Sequence, residues 1–337
     1  MRSSIVSFIV AGILSFGLGL GYGWKTNLPP KGEWKNEVLK PDPTPTKIQE
    51  AFGVLLAKTP DEIDKVDTAT LGWACLGGFA DAQNIDLTQA QARIRKLADV
   101  VKSSTKSSLE LNRKQDKHFQ ESPEFRIAIL SYVLQQDYKP AHFAEQYDPD
   151  AGQFTDWGKT RPEDLLFQSA YNNKQDSVFS NVIWLVAVGQ ELKYPLKLAS
   201  VPGRLCAVWN DGKNRWFILP TAEGNEVLTE DQYRKEFPVT EDEIKKQNLY
   251  HEYTQSEVWA AFLQMRGKFM DQKGFPQHAA LAYAAAHRFA PNTPLFSENL
   301  ESAVDSATES NSLQRRTVEI SSPERFISRP PVKDLTP

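Results

Sequence analysis

Two thiols and five imidazoles are the residues of this 337-residue chain best suited to nucleophilic or metal chemistry, and their spacing limits what they can do. Cys75 and Cys206 are far apart and match no CxxC or metal-ligand spacing. They are open to pairing in an oxidising compartment or to burial as two free thiols. A nucleophilic thiol needs a positioned base, and no histidine lies between residues 143 and 250. Arg204 precedes Cys206 by two residues, so in a strand both point to one face and the guanidinium would lower the thiol pKa. A buried core cysteine, on a sheet facing a central helix, is the plainer reading. His278 and His287 are nine apart on one expected helix and make no metal pair. The sequence therefore points to no metal and no cofactor.

The elements that would carry these residues change character along the chain. From about Ile48 to Val133 the apolar spacing is helical, as with Ala92, Leu97 and Val101, and Ser122-Pro123 suits the start of a helix running through PEFRIAILSYVLQQ. Residues 103–117 are rich in Ser, Lys and Gln and read as an exposed loop or helix end, and 147–175 as a long surface loop. The run from Val178 to Leu192 is apolar almost all round, which predicts a helix central to its domain, with Asp176 or Ser177 able to cap it. After Pro195 come three β-prone runs, Lys197 to Val201, Arg204 to Trp209 and Arg215 to Leu219, the last two flanking an NDGKN turn. Residues 241–290 return to helix. The pattern is α+β.

In order, YDPDAG at 147–152, SVFSNVIWLVAVGQELKYPL at 177–196, VPGRLCAVW at 201–209 and RWFILPTAEG at 215–224 resemble the bacterial transglutaminase-like family over roughly residues 50–240. The resemblance implies a papain-like helix and antiparallel sheet, with a helical lead-in. It implies a thiolate at the start of the central helix, a His on the next strand and an Asp on the strand after. Laid onto this chain, the thiol position falls on Val178 (Ser177 if the register slips by one), the His position on Arg204 and the Asp position on Leu219. None of the three replacements can serve: Val178 cannot attack, an arginine stays protonated up to a pKa of about 12, and Leu219 cannot orient an imidazole. The resemblance thus implies a pseudoenzyme, with Arg204 a carboxylate- or anion-binding residue or a partner in an internal salt bridge.

Farther on, Gly267, Ala279, Tyr283, Ala286 and Pro291 fall at the small, small, aromatic, small and proline positions of a tetratricopeptide-like helical pair. One such repeat cannot bury its own apolar face, so it is expected to pack on the preceding domain or on a short helix near Glu241 to Asn248.

At the other end, Ile5 to Trp24 carries no charge and is flanked by Arg2 and Lys25. About 20 residues suffice to span a bilayer core of about 30 Å, and Tyr22 and Trp24 suit its interface. An uncleaved anchor is expected over residues 1–24, with a cleaved signal peptide the alternative. A proline-rich linker over 25–47 follows, then the transglutaminase-like domain over 48–240, the helical region over 241–304 and a Ser-, Pro- and charge-rich tail over 305–337 expected to be disordered. The body is expected on the exported, extracytoplasmic side. A net charge of −4 gives no support for nucleic-acid binding. These readings lead to a membrane-tethered, catalytically inactive binding or scaffold module with protein partners. The alternatives are a thiol hydrolase or transferase using Cys206, or a structural subunit of a membrane assembly.

Overall fold

A computed structural model describes residues 47–79, 85–111, 122–137, 139–140, 147–148, 153–154, 175–176, 178–202, 204–221, 224–272, 275–293, 300–305 and 308. The expected anchor, nearly all of the proline-rich linker and nearly all of the tail lie outside them. Among the described residues, no helix is long and apolar enough to cross a membrane.

Five helices come first: α1 (Lys47–Ala57), α2 (Pro60–Ile63), α3 (Thr68–Ala74), α4 (Leu87–Leu111) and α5 (Pro123–Asp137). Their starts are fixed by short polar side chains that take up backbone N–H groups left without intrahelical partners. Asp67 accepts from the Thr70 N–H at 2.8 Å, Asp86 from that of Thr88 at 2.8 Å, and Ser122 from that of Phe125 at 3.3 Å. The Ser122-Pro123 start is the one the sequence predicts.

Helix α4 continues to Leu111, so that much of the stretch read as an exposed loop or helix end is helix end. The cause is local: Val101 is fully buried and anchors the helix, while the Thr105 hydroxyl turns back to donate to the Val101 carbonyl at 2.7 Å. Once a helix is anchored, serine and lysine extend it at little cost per residue.

Helix α6 (Val178–Glu191) is the centre of the molecule, with every residue from Val182 to Val188 at most 4 % exposed. Helices α3, α4 and α5 pack on it from one side and a four-stranded antiparallel sheet from the other. The strands are β1 (Leu196–Val201), β2 (Arg204–Asn210), β3 (Arg215–Thr221) and β4 (Gly224–Leu228), in that spatial order. The first three match the predicted runs to within a residue or two; β4 is an addition. The coarse α+β class is therefore observed.

Register decides which residues face α6. Leu196 lies against Gly189 of α6 and pairs with Trp209, while Ala207 pairs with Ile218, so these side chains share the helix-facing side. Ala199, Val201, Cys206, Val208, Phe217 and Leu219 form the other face. That face is covered by Tyr233 of α7 (Glu230–Glu236) and by Leu249 and Tyr250, which follow α8 (Glu241–Gln247). Residues 250–253 also run beside β1, the Tyr250 N–H donating to Ser200 O at 2.7 Å and the Tyr253 N–H to Leu198 O at 2.8 Å. An otherwise open strand edge is thereby occupied.

Farther along the chain, α9 (Gln255–Gln272) and α10 (Pro276–Phe289) form an antiparallel hairpin. It packs on α2 and α3 rather than on α8. Ser256 N–H donates to Asp64 at 2.7 Å, Thr68 pairs with Gln255 at 3.2 Å, and Arg266 donates to the Cys75 carbonyl at 2.6 Å. These bonds join residues on the two sides of position 240.

Candidate functional site

Cys206 is fully buried in β2, its thiol directed at the Ala199 carbonyl at 3.7 Å within the apolar face under Tyr233 and Tyr250. It therefore faces away from α6, a buried core cysteine on the sheet that packs against the central helix. Alternation of side chains along β2 is the reason, because Ala207, its neighbour, takes the helix side. Cys75 is also free and buried, pushed up to about 12 by burial, with its thiol donating to the Phe262 carbonyl at 3.4 Å. Neither thiol has the solvent access that a nucleophile needs.

Of the three positions mapped onto a catalytic triad, Val178 is the first residue of α6 and Arg204 opens β2 opposite Val201, but both side chains lie outside the described residues. Leu219 is fully buried in the same apolar face as Cys206, turned from α6. Tyr233 belongs to the same buried cluster. The order of motifs along the chain carried no information on this, since sheet face changes with every residue.

In the helical pair the expected small residues make close contacts. A Cβ on Gly267 would fall 2.5 Å from the ring of Tyr283, so only glycine lets α10 approach α9 at that point. Ala279 and Ala286 are fully buried, and Pro291 follows the last turn on the surface. His278 is exposed, and the described residues contain no cluster of three metal-ligating side chains.

Two charged arrangements hold elements together. Arg215 of β3 bridges Glu230 of α7, the Tyr250 carbonyl and Glu252, the last at 3.2 Å, while its guanidinium lies over Phe217. Glu252 also accepts from Asn210 at 2.6 Å and pairs with Lys197 at 3.3 Å. Burial opposes its ionisation, but the bonds from Asn210, Lys197 and Arg215 prevail and hold its carboxyl below the usual range. In the NDGKN turn, Asp211 accepts from the Asn214 N–H at 2.7 Å, the Lys213 N–H at 2.9 Å and the Trp209 indole at 3.2 Å, which hold it well below the ordinary aspartate value. Gly212 supplies the positive φ of 81° that the turn requires.

An open groove of about 840 Å³ lies between α4 and α5. Its α4 wall is a stripe of Gln89, Arg93, Lys96, Val100 and Ser104, spaced at the three- and four-residue steps of one helix face. Its floor is Leu97 and Val133, both nearly buried, and its far wall is Tyr132 and Gln136 of α5. The Arg93 guanidinium stands 5.9 Å from the Trp184 ring of α6, which ties this wall to the core. The sequence reading took α4 only as a helix; the signal for a groove was the mixed cationic and apolar stripe beside its buried face.

No protein-family model matches the chain, and no curated protein or solved structure matches it.

Proposed function

We propose that this chain is a membrane-tethered, non-catalytic binding module: residues 5–24 hold it at a bilayer, and its helical and sheet surfaces engage protein partners. The observation that carries the non-catalytic part is the placement of Cys206. A thiol without exposed surface, packed among Ala199, Val208 and Phe217, offers no approach to a substrate carbonyl. The transglutaminase-like reading is supported by the succession of central helix and antiparallel strands. The placement of Leu219 on the far sheet face weighs against its assignment to the old aspartate position. The tetratricopeptide-like reading of α9 and α10 is supported by the Gly267–Tyr283 contact. In such a protein the pair completes the fold against α2 and α3.

The tether is tested by alkaline extraction of membranes from cells expressing the full chain or residues 25–337. The full chain stays with the membrane pellet and the shortened chain is released. Release of both would contradict the anchor.

A further inference from the structure

We propose that residues 248–253 are a strained latch on the edge of β1, which lifts as a unit while the sheet beneath it stays folded. Strand order leaves β1 at one edge of the sheet, and this segment closes that edge. The Ser200 hydroxyl donates to the Asn248 carbonyl at 2.7 Å, the Tyr250 N–H to the Ser200 carbonyl at 2.7 Å and the Tyr253 N–H to the Leu198 carbonyl at 2.8 Å. Between them Glu252 is paired with Ala199 as an isolated bridge. The cover is a few bonds wide and does not continue as a strand.

Two observations meet at Tyr250, where docking works against local chemistry. Its φ is +62°, in the left-handed region that bulky side chains rarely enter. Its hydroxyl is buried, in a residue 5 % exposed, and has no hydrogen-bond partner among the described residues. Lifting the segment releases the backbone from that region and returns the hydroxyl to water.

Strained backbone persists only where its surroundings over-determine it, and here the surroundings can be named. The Tyr250 ring packs edge-on at 5.7 Å from Phe217 and 5.9 Å from Tyr233, with the Arg234 guanidinium at 4.8 Å. Arg215 of β3 donates to the Tyr250 carbonyl and, at 3.2 Å, to Glu252. Glu252 also takes Asn210 of β2 at 2.6 Å and Lys197 of β1 at 3.3 Å, so three strands clasp the latch through one carboxylate. When the latch lifts, the Leu198 and Ser200 carbonyls are left unpaired at a strand edge, the surface to which an extended chain adds. The clasp therefore governs whether that edge is available.

The test is hydrogen–deuterium exchange on the full chain in mild detergent, read residue by residue by mass spectrometry and expressed as protection relative to an unstructured chain. Tyr250 and Tyr253 are protected to a similar degree, at least about hundredfold less than the slowest amides of β2 and β3. Glu252→Ala cuts the clasp but leaves Arg215 on Glu230, and it speeds both latch amides about tenfold while β2 and β3 keep their protection. Arg215→Ala, a second way to cut the clasp, does the same. Tyr250→Phe removes the unpaired hydroxyl and slows both amides about fivefold. Protection in β2 and β3, read in the same experiment, shows that each variant is folded. Latch amides as protected as those of β2 and β3, or protection at neither, overturns the proposal. So do rates unmoved by both clasp variants, or a Tyr250→Phe chain whose latch amides exchange as fast as the parent's.

Discussion

At the scale of single residues, both thiols are used for packing: Cys206 and Cys75 behave as small buried hydrophobes, while Asp211 fixes a turn and Glu252 joins three strands. Asp211 and Glu252 both have folded-state pKa values below their unfolded ones. Their contribution to stability is therefore fully present above the unfolded values of about 3.9 and 4.3 and is lost as pH falls through the folded values. Unfolding followed by circular dichroism should show stability declining below about pH 4, with a shallower decline in Asp211→Asn and in Glu252→Gln. An unchanged slope in both variants would contradict these assignments. The Asp-Gly turn was legible from sequence because its chemistry is local. Glu252 was not, because its partners come from β1, β2 and β3 and meet it only in the fold.

Elements show the same division. Helix α6 and strands β1 to β3 were readable because an all-apolar run and three β-prone runs state their burial directly. The full length of α4 was left open between loop and helix end, since its last turns are polar and are held by Val101 and Thr105. Helix α7 and strand β4 were also missed: each is short, and their placement depends on Arg215, Tyr233 and the sheet face they complete. The α9–α10 hairpin was legible from a handful of positions, and its closest approach can be tested. Gly267→Ala would force its new methyl into the Tyr283 ring and destabilise the protein by about 1–3 kcal/mol, as overpacked cores do. Chemical denaturation measures this; Tyr283→Leu in the same chain should recover part of the loss by making room. A Gly267→Ala protein as stable as the parent would show that the two helices do not meet there.

For the whole molecule, the architecture explains why a chain with few reactive groups still has surfaces to offer. A central helix is enclosed by helices on one side and a sheet on the other, and the sheet's outer face is closed by α7 and the Leu249–Tyr250 segment. Among the described surfaces, a groove between α4 and α5 stays open. The hairpin that follows residue 240 finds partners at the start of the described chain, in α2 and α3. Sequence order could not show that return.

The central claim is that the Cys206 face of the sheet is a closed core, not a reaction site. Its most direct test is residue-resolved labelling of the native full chain by an alkylating reagent at neutral pH, read by mass spectrometry beside the same chain in denaturant. The account predicts that Cys206 stays unmodified while the protein is folded and reacts fully once it unfolds, in step with Cys75. Rapid modification of Cys206 in the folded chain, with Cys75 still protected, would contradict it and place a reactive thiol where the account places a core.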